Sequence, residues 1–254
     1  MIDAMGHSLK LILDFFFQHT HSYGWAIILF ALSVKVLLSY PTQKQFESMK
    51  EMQALQPLMK KIQDLHKEDK EKGQRETMEL FRKHKVNPFS GCILLLIQMP
   101  ILFALWKAIE MSKDAFKGQT FLWIGSPLAD IAPFSGWIGK DLAGPDMPLL
   151  LLYGVSMYFS SMMTPSADPT QAQTQKMMAY SMPIMLVVMF WMQKFACAFV
   201  LYWLVFNLLS MVHQYFIMKQ PPRLQLVEEP PAPVVQKRFA EVEKKKKKRR
   251  KRSY

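Results

Sequence analysis

Residues 28–41, ILFALSVKVLLSYP, place a single lysine, Lys35, inside an apolar run that is typical of a membrane-spanning helix. A lysine at the centre of such a helix costs about 3 kcal/mol on scales derived from membrane insertion. Lys35 stands six residues before Pro41, about 9 Å along a helix, and a lysine stem can cover much of that distance. The pattern predicts either a side chain that extends to the membrane surface or one with a task inside the membrane.

The apolar runs set the predicted fold class. Each is close to the roughly 20 residues that a helix needs to cross about 30 Å of hydrocarbon. The sequence therefore predicts an all-α polytopic membrane protein with five transmembrane helices. The runs are residues 24–40, 91–111, 147–163, 177–193 and 197–218.

The net charge of +12 is concentrated in two segments, residues 41–90 and the C-terminal tail, residues 219–254. Because excess Lys and Arg mark cytoplasmic segments, these two are predicted inside, and the lysine-poor loop 112–146 outside. The N-terminus then lies outside and the polar loop 164–176 inside. Residues 1–19 are predicted to form an interfacial helix on the outer surface, because five apolar side chains share one helical face. They are Leu9, Ile12, Leu13, Phe16 and Phe17.

Residues 41–90 predict a cytoplasmic hairpin of two helices. Apolar residues recur at a spacing of three to four along the first arm, the polar stretch around Gly73 predicts the turn, and Asn87-Pro88 predicts the end of the second arm. The alternative is a solvated linker whose mixed charges keep it soluble. The short connection QKFAC, residues 193–197, predicts that the fourth and fifth spans are antiparallel neighbours.

The motifs of common enzymes are absent from the sequence. It has no GxSxG, HExxH or glycine-rich phosphate loop. No metal site and no cofactor are predicted. Cys92 and Cys197 fall at opposite ends of predicted spans, too far apart for a disulfide, and are expected to be free thiols. We predict a protein that is not an enzyme.

Polar side chains recur within the predicted spans. Ser39 and Thr42 follow Lys35 at i+4 and i+7, which predicts a polar stripe that continues to the cytoplasm. If the other polar faces converge on it, they line a wet cleft open to the cytoplasm. The residues concerned are Gln98, Ser156, Ser160, Tyr202, Asn207 and Ser210.

Four blocks of sequence, in order, resemble the YidC-type membrane protein insertases, relatives of the mitochondrial and chloroplast oxidase-assembly proteins. They are MQALQP (52–57), NPFSGCILLLIQMPILFALW (87–106), DPTQAQTQKMMAYSMPIM (168–185) and FVLYWLVFN (199–207). The resemblance covers about residues 20–218. It implies a five-helix core around a hydrophilic groove that is closed outside and carries an arginine at the position of Lys35.

The resemblance implies an insertase and chaperone of the bacterial plasma or inner membrane, multi-pass, with its C-terminus in the cytoplasm. The implied partners are nascent membrane proteins, the ribosome, the Sec translocon and anionic lipids, with no small-molecule substrate. The predicted substrate groove comprises Lys35, Ser39, Gln98, Tyr202, Trp203 and Asn207. The predicted recruitment contacts on the hairpin are Met52, Leu55, Gln56, Pro57 and Met59. The predicted ribosome or lipid contacts are Lys244, Lys245, Lys246, Lys247, Lys248, Arg249, Arg250, Lys251 and Arg252.

Two further hypotheses remain open from the residues. The same polar faces are compatible with a small channel or transporter, although the sequence shows no repeated broken helix and only one carboxylate in a span, Glu110. The basic tail alone is compatible with a passive ribosome anchor.

Overall fold

The computed structural model describes residues 2–87, 90–164 and 172–222, with side chains left undescribed at residues 2, 70, 90–97, 172, 174 and 175. The regular structure of the described residues is helical. The helices are α1 Ile2–Thr20, α2 Tyr23–Leu37, α3 Ser39–Leu65, α4 Lys70–Lys83, α5 Ser90–Met111, α6 Lys113–Phe116, α7 Met147–Met163, α8 Ala172–Met192 and α9 Cys197–Lys219, with a 3₁₀ turn at Pro127–Asp130. The predicted thiol of Cys92 and the predicted tail contacts at 244–252 lie outside the described side chains.

The first apolar run does not continue as one straight helix. α2 and α3 meet at Leu38 and bend by 61°. Pro41 explains the break, because its ring has no N–H and would clash with the carbonyl of residue 37 in a continuous helix. The predicted stripe is therefore wrong beyond the bend. Ser39 is exposed, whereas Thr42 is buried and donates its hydroxyl to the carbonyl of Leu38.

α1 packs on α5 and α2. Leu13 is completely buried, and Leu9, Phe16 and Phe17 pack against the same core. Ile12, which was predicted on this face, is instead 41% exposed. The N-terminal segment is thus a packed element of the bundle, and its place at the outer membrane surface stays a prediction.

The core of the bundle is centred on α9, which packs on α2 and α7. Phe30 and Tyr202 are among its largest buried side chains. Among the described residues, α8 packs on α7 and not along α9, so the prediction that α8 and α9 are neighbours is wrong for most of their length. The two helices approach each other near their connection, where the rings of Phe190 and Phe199 lie 5.9 Å apart.

α3 and α4 pack against each other through a small apolar cluster of their own. The two helices occupy the positions of the two predicted arms. The turn comprises residues 66–69 and overlaps the start of the polar segment 68–73 that predicts it. Asp69 caps α4 by accepting a hydrogen bond from the N–H of Lys72. Gly73 itself lies inside α4, where an added Cβ would lie 3.2 Å from the Cβ of His66. The cytoplasmic location of this hairpin stays a prediction.

The loop between α6 and α7 covers one end of the bundle. The N–H groups of Cys197 and Ala198, at the start of α9, donate to the carbonyls of Gly144 and Leu142 at 2.7 and 3.2 Å. Asp146 is buried and accepts from the N–H of Leu149, which caps α7. The starts of α7 and α9 are thereby closed by the same loop.

By length and apolar composition, one helix among the described residues, Cys197–Lys219, can cross a membrane, and a second span results if the bent pair α2 and α3 counts as one. α7 has 17 residues, about 25 Å at 1.5 Å per residue, which is less than about 30 Å of hydrocarbon. The first part of α5 lies outside the described side chains. The count of five spans therefore stays a prediction.

Gly24 provides a test of the contact between α2 and the loop. A Cβ at this position would lie 2.1 Å from a ring carbon of Phe121, which is itself buried. We expect Gly24→Ala to lower the free energy of unfolding by about 1 to 3 kcal/mol, because the ring must leave its packed position. Denaturant unfolding of the purified protein in detergent measures this. Gly144→Ala is the control, since its Cβ would lie 3.8 Å from the nearest atom, and equal stability of the two variants would contradict the expectation.

Asp146 provides a test of the closure. Its carboxylate accepts from the N–H of Gly139 at 2.9 Å, from Trp123 Nε1 at 3.1 Å and from the N–H of Leu149 at 2.7 Å. We expect Asp146→Ala to cost about 2 to 4 kcal/mol, because it removes a helix cap and leaves buried donors without an acceptor. Asp130→Ala removes an exposed ion pair with Lys140 and is expected to cost about 1 kcal/mol or less. A similar loss in both variants would show that the buried carboxylate does not hold the loop.

Candidate functional site

A cavity of about 220 Å³ lies between α7 and α9. It begins about two turns in from the closed end of the two helices. The residues that line it recur every three to four positions on each helix, so each helix presents one face to the cavity. They are Tyr153, Met157, Ser160, Ser161 and Thr164 from α7 and its end, and Trp203, Phe206, Asn207 and Ser210 from α9.

Lys35 reaches the wall of this cavity from α2. Its Nζ donates to Ser210 Oγ at 2.9 Å and lies 5.3 Å from the centroid of the Phe206 ring. Ser210 in turn donates to the carbonyl of Phe206 at 2.8 Å. The side chain of Lys35 is only 8% exposed, so it points to α9 and does not extend to the surface of the protein.

Lys35 forms no ion pair with any residue that the structure describes. An ammonium group can donate three hydrogen bonds, and Ser210 accepts one. A buried cation without a counter-ion is costly, and a nearby anion relieves that cost. The electrostatics of this position therefore favour an anionic group in the cavity beside Ser210.

Two amide side chains of α9 connect it to α7. Asn207 donates to Ser156 Oγ at 3.0 Å, and Ser156 donates to the carbonyl of Tyr153 at 2.7 Å. About two turns further on, Gln214 donates to the carbonyl of Met163 at 3.2 Å. Amides and hydroxyls thus hold the two walls at a fixed separation and make the cavity partly polar.

The residues predicted for the groove differ in whether they line the cavity. Trp203 and Asn207 line the cavity, and the Nε1 of Trp203 is buried without a partner. Gln98 and Tyr202 instead form a buried pair, with Gln98 Nε2 donating to Tyr202 Oη at 3.4 Å. Ser39 lies outside the cavity lining.

Tyr202 belongs to the core of the bundle. It is completely buried, and its ring lies 5.8 Å from those of Phe30 and Phe206. It therefore supports the wall of the cavity from behind. A direct contact between Tyr202 and a substrate stays a prediction, and it requires the helices to move from this arrangement.

The cavity also contains residues that the prediction of the groove left out. Ser160 and Ser210 were predicted as part of the wet cleft, although not among the residues of the substrate groove. The signal that could have found Thr164 is the recurrence of small hydroxyl side chains at positions 156, 160 and 164 on one face of an apolar helix. The lining residues that neither prediction names are Tyr153, Met157, Ser161, Thr164 and Phe206.

The predicted recruitment residues divide in the same way. Met52, Leu55 and Met59 are buried between α3 and α4, where they hold the hairpin together. Gln56 is half-buried and Pro57 is exposed. A partner can touch the three apolar residues only if α3 and α4 separate. Their role in recruitment stays a prediction.

The arrangement is suited to binding a polar guest. It has hydroxyls, amides, one indole N–H and a buried ammonium group, which can hydrogen-bond to a polar segment of polypeptide. In the part of the chain that the structure describes, no group of three or more His, Cys, Asp or Glu residues could hold a metal ion.

Comparison with known proteins shows the relatives of this chain. The profile of the family described as 60Kd inner membrane protein matches residues 15–223. The membrane protein insertase YidC of Syntrophobacter fumaroxidans is 40% identical over 213 residues, which are 82% of this chain and 37% of that protein. The YidC of Geobacter sulfurreducens is 40% identical over 214 residues, 83% of this chain and 36% of that protein. The chain therefore spans little more than a third of the length of these relatives.

A solved structure agrees with the sequence comparison. The crystal structure of an active YidC insertase with its first transmembrane domain resolved superimposes with a TM-score of 0.63 at 28% identity, over 84% of this chain and 46% of that chain. The residues that the family profile matches include all of α2 to α9, and the helices of the cavity are among them. This chain belongs to the 60Kd inner membrane protein family, and it is similar to YidC insertases in both sequence and fold.

Proposed function

We propose that this chain is the inserting core of a bacterial membrane protein insertase and chaperone, with five transmembrane helices. The names of the related proteins support this activity. The observation that carries the proposal is the ammonium group of Lys35, which is buried without a counter-ion and bonded to the wall of a partly polar cavity. The relatives favour this function over that of a channel or transporter.

The proposed substrate is the short polar tail or loop of a nascent membrane protein. A carboxylate at about 4 Å from the ammonium group gains about 4 kcal/mol at an effective dielectric constant near 20, before desolvation costs. The hydroxyls of Ser160 and Ser161 and the amide of Asn207 provide hydrogen bonds along the cavity. Together they lower the cost of taking a polar segment out of water.

The closed end of the bundle defines the direction of transfer. A tail that enters from the cytoplasm ends its path at the loop that Asp146 holds, so only part of the bilayer remains to be crossed in hydrocarbon. An inside-negative membrane potential favours outward transfer of each negative charge by about 2.3 kcal/mol per 100 mV. The process needs no nucleotide and no catalytic group, and the apolar segment of the client then partitions into lipid.

α8 is the proposed exit surface for that segment. It packs on α7 and exposes a series of flexible methionines along its other side, which suits apolar partners of different shapes. Its exposed methionines are Met177, Met178, Met182, Met185, Met189 and Met192.

The remaining partners are proposed from charge and position. The hairpin of α3 and α4 lies on the cytoplasmic side in this proposal and contacts the ribosome or the Sec translocon through its outward-facing residues. The basic tail at 244–252 binds anionic lipid or ribosomal RNA, since both present closely spaced phosphates. In this arrangement the chain lies in the bacterial cell membrane with its C-terminus in the cytoplasm.

Replacement of Lys35 tests the electrostatic role. In cells depleted of their own insertase, we expect Lys35→Arg to support growth and Lys35→Glu to fail. Insertion of a client with an acidic tail should fall by more than tenfold in Lys35→Glu, because about 4 kcal/mol of attraction becomes repulsion. A client of the same length with a neutral tail should be affected much less.

Lys113→Glu is the matched control, because it makes the same charge change on an exposed residue of α6, outside the hairpin that is proposed to contact the ribosome or the Sec translocon. Protein levels of each variant in the membrane exclude a failure to fold. Equal insertion of acidic and neutral tails by Lys35→Glu would remove the electrostatic role, and equal defects of Lys35→Glu and Lys113→Glu would assign the effect to overall charge.

Crosslinking to a stalled nascent chain tests the path. A photoreactive residue at position 207 faces the cavity, whereas one at position 208, one residue further along α9, lies on an exposed side of the helix. We expect the polar tail of the client to crosslink at 207 and not at 208. Crosslinks of the tail at 208 alone would place its path along the outside of the bundle and contradict the proposal.

A further inference from the structure

We infer that the loop between α6 and α7 inserts an edge of apolar side chains into the outer leaflet of the lipid bilayer. This edge, the apolar ridge, consists of Leu128, Ile131, Phe134 and Trp137. The inference rests on the proposed five-span arrangement, in which residues 112–146 lie outside. It adds a lipid contact that the insertase activity itself does not require.

The exposure of the apolar ridge is regular. Leu128, Ile131, Phe134 and Trp137 are 47%, 54%, 49% and 57% exposed. Single apolar side chains on a surface need no explanation, but four large ones at a constant spacing of three residues form a continuous patch. Ala129, within the same stretch, is buried, so the loop has an inner side and an outer side.

Backbone hydrogen bonds maintain the spacing. The N–H of Ile131 donates to the carbonyl of Leu128 at 3.3 Å, that of Phe134 to Ile131 at 2.9 Å and that of Trp137 to Phe134 at 3.0 Å. Each member of the ridge is thus bonded to the previous one, one tight turn away. Each bond of this i to i+3 type closes a tight turn, whose first and fourth Cα atoms lie within about 7 Å of each other. Consecutive members of the ridge therefore lie close together along the loop.

The carboxylates of the loop have ion-pair or hydrogen-bond partners within the protein. Asp130 pairs with Lys140 at 2.7 Å. Asp141 accepts from the N–H groups of Gly118, Ala143 and Gly144, and Asp146 is buried with three donors. A surface whose carboxylates are paired or hydrogen-bonded can approach the boundary between headgroups and acyl chains at a low desolvation cost.

The position of the ridge favours lipid over a protein partner. The carbonyl of Trp137 accepts from the N–H of Met147 at 2.8 Å, so the last ridge residue lies beside the first turn of α7. Trp25, at the start of α2, is 55% exposed and lies against Phe121 of the same loop at 5.7 Å. Trp137 and Trp25 thus lie beside the ends of two proposed spans and contact or belong to the same loop, at a level where indole rings mark the interface.

Spin labels at neighbouring positions test this inference. Single cysteines are introduced by Ile131→Cys and Phe134→Cys in the ridge, and by Ala132→Cys and Ser135→Cys at exposed positions between ridge residues, in a Cys92→Ser, Cys197→Ala background. The full chain is reconstituted into vesicles of phosphatidylethanolamine and phosphatidylglycerol. Collision rates with oxygen, which enters lipid, and with an impermeant nickel chelate, which stays in water, are measured for each label.

We expect labels at 131 and 134 to collide mainly with oxygen, and labels at 132 and 135 mainly with nickel chelate added on the outer side. Equal access of nickel chelate to all four labels would overturn the inference and place the ridge in water. Protection of 131 and 134 from both reagents would also overturn it, because a protein would then cover the ridge.

The same experiment separates this inference from the proposed function. If nickel chelate reaches 132 and 135 only from the inner side, the proposed topology fails and the inference with it. If it reaches them from the outer side but also reaches 131 and 134, only the ridge fails. Crosslinking of a nascent chain at position 207 does not depend on either label.

Discussion

The arrangement of the bundle depends on the hydrogen bond between Lys35 and Ser210. It joins α2 to α9 across the interior, at a depth where an unpaired ammonium group is costly. The ring of Phe206 and the hydroxyl of Ser210 stabilise the cation only in part. The incomplete solvation of this charge is the physical reason that the adjacent cavity favours an anionic guest, and it explains why a residue so unfavourable for the fold is useful to the protein.

The closure at the other end has a different physical basis. Asp146 is a buried carboxylate, but every one of its three contacts is a donor held by the backbone or by an indole. Its charge is therefore balanced within the loop, whereas that of Lys35 is not. The carboxylate of Asp146 has its hydrogen-bond donors within the protein, whereas the ammonium group of Lys35 keeps donors free for a guest. In the proposed function, the first holds the end of the bundle closed and the second binds the client.

The helices of the bundle were accessible from the sequence because long apolar runs are strong signals. Lys35 and Asn207 were also accessible, since a lysine and an amide are unusual in an apolar run, whereas Trp203 was predicted with the block FVLYWLVFN that resembles the insertases. The rotation of α9 about its own axis was not accessible. Tyr202 and Trp203 are adjacent, about 100° apart on the helix, and only tertiary packing decides that Trp203 faces the cavity and Tyr202 the core.

Other features escaped prediction for equally physical reasons. Pro41 looked like the end of a span, but it starts a bend, because proline is tolerated in the first turn of the following helix and excluded from the interior of a continuous one. The place of α7 between α8 and α9 could not follow from a short connection, which brings two helix ends together and leaves their axes free to diverge. The hydroxyls of α7 were noticed singly and gained meaning only when α9 was placed opposite them.

The proposed insertion requires mobility, which is constrained by how α9 is held. Its first N–H groups are bonded to the loop between α6 and α7, its middle to Lys35, and its last turn to Lys50, whose buried Nζ donates to the carbonyl of Ile217 at 3.3 Å. A cation at a helix C-terminus is stabilising, so the hairpin that carries Lys50 is also coupled to α9. The cavity lies between α7 and α9, and α8 packs on α7 and not along α9. Opening of the cavity to lipid therefore requires α7 to move relative to α9, and α8 can move with α7.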